Sequence, residues 1–285
     1  MSAQKLRVKA TPVLEVASEL GESPLWENDI GLRWLDVPGR RPHTLDRGGR
    51  HTSVALPVLV TAIEPGAAGD LLAVTSTGFA WLDPRSGRIE QFADVVEPPV
   101  SMNSAAIDGR GRCWAGSAVR DDSRGGALYR LARRSVTTHL EKISMSSGIG
   151  WSPDNRELYH VDSGTGTLTG WRYNVFAGDL HVPRLLRRIP AETGMPCGLA
   201  VAEDGGIWLA VRGAGQVWRL DPGTGETTAL VEVPTPYVTS CAFGGAELST
   251  LYITTANHES PGGGLLYAAE VSGRGLPAHR FAGGV

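Results

Sequence analysis

Cysteine is scarce, with three residues in 285: Cys113, Cys197 and Cys241. An odd count this low argues against a disulfide framework and fits a reducing compartment, so the cytoplasm is the expected location. Long apolar runs are missing as well. No stretch approaches ~18 apolar residues, so no membrane span is expected. The opening segment, Met1 to Val8, is polar, and no secretory leader is expected from it. Charge of one sign is not in excess either: 27 Lys and Arg against 30 Asp and Glu leave a net −3. The pairs Arg133-Arg134 and Arg187-Arg188 read as solvated strand edges rather than a basic stripe, so nucleic acid is not an expected partner. Helical periodicity is lacking over any useful length, which disfavours an α/β chain.

Turn chemistry is what the chain has in quantity. It holds 37 Gly and 18 Pro, spread evenly and without a G-X-Y period, which points to many turns. Between the turns one phrase returns: an apolar strand, a turn rich in Gly, Asp or Pro, and a second apolar strand carrying an aromatic. It reads LWENDIGLRWLDV from 25, IEPGAAGDLLAVTS from 63, AIDGRGRCWAGS from 106 and GWSPDNRELYHVDS from 150. It returns as AVAEDGGIWLAV from 200 and AFGGAELSTLYITT from 242.

Aligning the second strands places Trp34, Ala73, Trp114, His160, Trp208 and Tyr252 in one slot, at intervals of about 40–50 residues. That is the period of a propeller blade of four short strands. Third and fourth strands follow in each unit, as in FAWLDPRSGRIEQF from 79 and QVWRLDPGTGETTAL from 216, joined by Asp-Pro and Ser-Gly or Thr-Gly turns. The reading is all-β: a six-bladed β-propeller, with residues 1–285 as one domain. No repeated Gly-His…Trp-Asp phrase is present, so the WD40 type is disfavoured.

Several phrases then resemble one family. Leu20-Gly21-Glu22-Ser23-Pro24-Leu25-Trp26 is similar to the opening signature of the senescence marker protein (regucalcin), gluconolactonase and luciferin-regenerating family. Asn103 with Ile107-Asp108, Gly111-Arg112, Trp114 and Gly116 resembles its N-D-x-x-x-D-x-x-G-R-x-W-x-G block. SSGIGWSPD from 146 resembles S-N-G-L-x-W-S-x-D, and Thr239 to Gly245 resembles the final-blade T-S-C-x-F-G-G phrase. The resemblance covers essentially the whole chain, in order.

It implies a propeller whose upper mouth holds one divalent cation, calcium or zinc, acting on a small sugar lactone. The implied ligands are a Glu, the Asn of S-N-G and the Asp of a later P-D-G, the last also being the general base. An Arg and an Asn of the N-D block would bind substrate. Glu22 stands at the Glu position and Asn103 at the substrate Asn. Ser147 replaces the ligand Asn, Cys197 the ligand Asp, and Ser101 the substrate Arg.

These replacements set the expectations for the site. If a metal binds at all, its ligands are Glu22, Ser147 and Cys197, an incomplete set for calcium, which wants six to eight oxygens. Zinc accepts thiolate and carboxylate but needs a further strong donor such as a histidine. Without metal, Glu22 and Cys197 are the candidate catalytic pair, the carboxylate as base and the thiol as nucleophile or proton shuttle. Cys197 as a small semi-buried filler stays open beside the catalytic thiol and the metal thiolate. It is expected in a loop between blades, where His258 on a neighbouring loop could reach it. Asn103, Ser101, Ser147 and His258 are the candidate substrate-binding residues. Ser101 in place of Arg removes a fixed cation, which predicts a less polar or bulkier substrate than a simple aldonolactone.

Three functions stay open: a lactonase-type hydrolase, a metal-independent isomerase or cyclase on Glu22 and Cys197, and a binding propeller without turnover. All three take a small molecule in the central pocket. Oligomeric state and substrate identity are not written in the sequence.

Overall fold

Every repeated phrase closes into an antiparallel hairpin, and each hairpin extends into a four-stranded sheet. The computed structural model describes residues 6–67, 69–119, 124–258 and 260–283, and within them it shows strands and turns but no helix. Six sheets stand around a central channel; four are made of consecutive strands in simple up-and-down order, and the other two also take a strand from the start of the chain. The inner strands are Gly21–Glu27, Val60–Pro65, Val100–Ile107, Ser146–Trp151, Met195–Val201 and Val238–Gly244, for blades one to six. Each packs on the next, and the last returns to the first. The chain is a six-bladed β-propeller.

The ring is closed by the beginning of the chain. Thr11–Leu14 supplies the outer strand of blade six, antiparallel to Leu266–Glu270. Leu6–Lys9 adds a fifth, parallel strand outside Thr227–Glu232 of blade five. Blades five and six are thus fastened by one segment, and from it the chain runs on into the inner strand of blade one, Gly21–Glu27, which ties the last blade to the first.

The hydrophobic core lies between blade faces. One cluster joins Leu35, Ile63, Leu71 and Leu82 of blades one and two. Another joins Tyr159, Leu168, Leu209 and Trp218 of blades four and five. Burying apolar side chains from both faces, as in any stacked-sheet interior, is what the alternating strand pattern provides for. The Asp-Pro turns form as their composition predicts. Asp83 accepts from the Arg85 amide and the Ser86 hydroxyl, and Asp221 from the amides of Gly223 and Thr224. Both turns end on a glycine with positive φ, Gly87 at +74° and Gly225 at +71°, where a side chain would be strained.

Strand register corrects the slot drawn from the sequence. Trp114, Trp208 and Tyr252 lie opposite Ala106, Ala200 and Ala242, one equivalent position in three blades. In the other three the equivalent residues are Leu32, Leu72 and Tyr159, opposite Trp26, Glu64 and Gly150. Trp34, Ala73 and His160 therefore sit one or two residues away. Aromatic content misled there, because the slot takes leucine as readily as tryptophan.

One irregularity is common to all six blades. Each inner strand carries one extra residue at the same level: between Glu22 and Leu25, Val60 and Ala62, Met102 and Ser104, Ser146 and Gly148, Pro196 and Leu199, and Val238 and Ser240. A bulge bends the strand and re-aims a side chain. The displaced positions are Ser23, Thr61, Asn103, Ser147, Cys197 and Thr239, beside Glu22. Five of the six are polar or hold a hydroxyl, and they form a ring near one end of the channel.

Candidate functional site

The ring of bulges gathers the residues that the sequence singled out. Glu22, Asn103 and Ser147 line the upper end of a central cavity of about 640 Å³. Cys197 is in the ring rather than in a loop between blades, on the strand Met195–Val201, and is buried. The bulge explains the difference: one extra residue lets a strand present a side chain where a loop had been expected. Ser101 stands two residues above Asn103 on the same strand, its hydroxyl bonded to the neighbouring Met102 carbonyl at 3.1 Å.

Hydrogen bonds fix the orientation of this ring. The Asn103 amide, of a residue that lines the cavity, donates to the Ser146 carbonyl at 2.6 Å, and its own carbonyl oxygen is not used in that bond. Ser163 bridges the Ser147 hydroxyl at 2.6 Å and the Pro196 carbonyl at 2.5 Å. Thr239 donates to the Gly21 carbonyl at 2.5 Å, tying blade six to the strand that carries Glu22. His160 is buried, bonds the Ser146 hydroxyl at 2.9 Å, and burial holds its ring down to about 4. It is a neutral packing histidine.

The group that completes the site is one the sequence reading did not name. Arg212 ends the second strand of blade five, paired across the sheet with Met195. Its guanidinium lies 5.7 Å from the Tyr237 ring centroid, and it donates to His258 Nε2, whose ring tilts on Tyr237 at 4.6 Å. His258 thus reaches the site through Arg212 and not through Cys197. A signal for Arg212 existed, since Asp36 and Asp162 end their own second strands on the same face. Those two hold incoming loops, Asp36 by the Leu20 amide at 3.2 Å and Asp162 by the Met145 amide at 2.9 Å. At the corresponding end in blade five stands a cation.

Electrostatics separate the two candidate catalytic groups. Burial raises the Glu22 carboxyl to about 7, against the Ser23 amide and Arg212, which both hold it down. The Cys197 thiol is pushed up to about 12, first by burial and then by the Glu22 charge, with Arg212 and Ser163 opposing. Near neutral pH the carboxyl is poised to exchange a proton, and the sulfur keeps its own. The chemistry open to the site is therefore acid–base work on Glu22 beside a fixed cation.

As a cation site the family trio fits poorly. Ser147 is already engaged by Ser163, and Cys197 is a neutral thiol where a hard metal needs an anionic oxygen. Zinc would need another strong donor, and His258 is taken by Arg212. Among the described residues no group of three His, Cys, Asp or Glu side chains is placed to hold a metal.

A six-bladed propeller with a polar ring at one end of its channel and a poised carboxyl in that ring is the class that fold and site define. The chain belongs to the SMP-30/gluconolactonase/LRE-like family, whose model matches residues 20–257. It is 32% identical over 256 residues to regucalcin of Danio rerio, covering 87% of each chain. It is 30% identical over 280 residues to a candidate sugar lactone lactonase, YvrE, of Bacillus subtilis, covering 93% of this chain and 96% of that one. Among solved structures it superposes on a calcium-binding regucalcin of Agrobacterium tumefaciens with a TM-score of 0.91 at 25% identity, over 98% and 99% of the two chains.

Proposed function

We propose that the protein is a lactonase-type hydrolase that opens a small lactone at the upper end of the channel, with Glu22 as general base and without a catalytic metal. The observation that carries this is the Glu22 carboxyl, raised to about 7 by burial and acted on by the charge of Arg212. A base works best when its pKa lies near the working pH. A fixed cation in a low-dielectric site favours charge that develops on a substrate oxygen.

The chemistry balances with these residues alone. Glu22 takes a proton from water as the oxygen attacks the lactone carbonyl. The resulting oxyanion faces Arg212, held in place by Tyr237 and His258. Collapse breaks the ring C–O bond, and the proton on Glu22 passes to the departing ring oxygen. The product is a hydroxy acid. Asn103 offers its side-chain oxygen to a substrate hydroxyl. The fixed cation that Ser101 does not provide comes from Arg212 in a different blade, so the substrate keeps a polar oxygen at the reacting end.

The calcium described for the Agrobacterium relative has no matching donor set here, because two of the three family ligand positions are a hydroxyl and a thiol. The test is turnover of a panel of five- and six-membered lactones by protein purified without added metal, with elemental analysis of the same sample. Turnover unaffected by chelator, with less than a tenth of a metal ion per chain, is expected. One calcium or zinc per chain, with activity lost on its removal, would overturn the metal-free reading.

A further inference from the structure

Below the ring of bulges the cavity continues, and its chemistry changes. Three residues further along each inner strand, roughly 10 Å at ~3.3 Å per residue, the inward positions are Trp26, Glu64, Ala106, Gly150, Ala200 and Ala242, and all six line the cavity. Four of the six are alanine or glycine, which is what gives the channel its width. Arg212, Tyr237 and His258 stand beyond the other end and do not line it.

The lower chamber has its own cover. After the last strand of blade six the chain crosses the lower face, bonded at Gly275 to Leu248 and at Phe281 to Pro65. Phe281 is buried among Phe79, Met102 and Leu131 of blades two and three. Between these anchors Leu276, Pro277, Ala278 and His279 line the chamber mouth. A strap fixed at both ends thus bounds a space whose inner tier is mostly alanine and glycine, with Glu27, Asn28 and Arg280 at its mouth.

Glu64 is the one ionisable group in that inner tier. Its remaining exposure faces the channel, and among the described residues no hydrogen bond or ion pair reaches its carboxyl. A carboxyl desolvated in this way stays protonated, and burial holds Glu64 well above the usual carboxylate range. A neutral acid in an apolar chamber is a hydrogen-bond donor without an acceptor. An unmet polar group of this kind costs stability unless a ligand or water serves it.

We propose that the lower chamber is a second binding site, taking a compact, mostly apolar molecule that carries a carbonyl oxygen, with Glu64 donating to that oxygen. The chamber is the lower part of a cavity of about 640 Å³ in all, within the ~300–1,000 Å³ of sites that hold drug-sized molecules, so a compact ligand suits it. A carbonyl fits better than an amine. An ammonium would have to shed its water and ionise a buried acid, and the Arg280 guanidinium at the mouth is already paired with Glu27 at 3.3 Å. The site does not depend on the hydrolase reading, because Glu64 lies a tier below Glu22 and takes no part in that chemistry.

The probes are camphor and bornylamine, which share one carbon skeleton and differ in carbonyl against amine. Binding to the full chain is measured by ligand-observed NMR titration at pH 7. Camphor is expected to bind more tightly than bornylamine, with Glu64→Gln within about threefold of wild type because the amide still donates. Glu64→Leu should weaken camphor at least ~10-fold, and Ala106→Trp with Ala200→Trp should abolish binding by filling the chamber. Glu22→Gln and Arg212→Met should leave camphor affinity unchanged, which separates this site from the upper one. No camphor binding to wild type, an unchanged affinity in Glu64→Leu, or tighter binding of bornylamine would each overturn the proposal. Circular dichroism on every variant, and the retained donor in Glu64→Gln, guard against reading a folding defect as lost binding.

Discussion

The charge of Arg212, on blade five, holds down the Glu22 carboxyl of blade one, which burial otherwise drives upward. This opposition predicts the pH profile. Glu22 must be ionised to act as base, so kcat/KM should rise with pH and reach half its plateau near 7. Arg212→Met removes a charge that lowers the carboxyl, so the same limb should move to higher pH while the plateau falls ~10²-fold. Arg212→Lys should recover part of the shift. A limb that stays where it is in Arg212→Met would separate the two residues.

A carboxyl raised in the folded state also costs stability, and the sign can be worked out. Folded Glu22 titrates at about 7 and its ordinary value is 4.5, so the folded protein binds the extra proton between these limits. Stability from this group is full below about 4.5, declines as pH rises to about 7, and is flat above. The size is about 3 kcal/mol at most, from ~1.4 kcal/mol per unit. Glu22→Gln should therefore gain stability over wild type across that window in urea titrations at successive pH values, while losing ~10²-fold or more in turnover.

Cys197 tells how far sequence can be pushed. Its replacement of an acidic ligand was visible in Met195-Pro196-Cys197-Gly198, and so were the blade period and the turns. What the sequence withheld was the sulfur's surroundings, because burial and the Glu22 charge depend on a bulge and on a blade more than 170 residues away. Arg212 was signalled only by the aspartates that end two other second strands, because its own strand, Ile207–Arg212, reads as an ordinary apolar strand. Glu64 was not singled out in the sequence, and it is its place three residues past the shared bulge level that turns it toward the channel. Local pattern writes strands and turns; convergence at the channel is written by register.

The thiols give a prediction of their own. Cys113 and Cys241 are buried fillers on strands, and burial raises both, Cys241 to about 12. Cys197 is at about 12 as well. A thiol reagent at pH 8 should therefore label none of the three in the native protein and all three after denaturation. Cys197→Ala should keep turnover within a few-fold. Rapid single-site labelling at Cys197 would instead revive the thiol as nucleophile.

Asp108 belongs to the same sequence block as Asn103, yet it is a clasp between blades and not part of the site. It is fully buried and accepts five hydrogen bonds. One oxygen takes the amides of Arg110 and Arg112 at 2.8 and 3.0 Å. The other takes Arg112 Nε and the Tyr173 hydroxyl, each at 2.6 Å, and the Trp114 indole at 3.2 Å. Tyr173 is on blade four, so the carboxylate joins blades three and four. Burial pushes Asp108 up, and the bonds from Tyr173 and Arg112 more than offset it, leaving the carboxyl below its ordinary 3.8. Asp108→Asn leaves the Arg112 charge unpaired against a buried amide, a loss of about 3–5 kcal/mol. Removing both charges in Asp108→Asn with Arg112→Met should cost less than the sum of the single changes, because the stranded cation is gone as well. Urea denaturation of the four proteins gives the coupling. A stable Asp108→Asn with reduced turnover would move Asp108 from the clasp to the site.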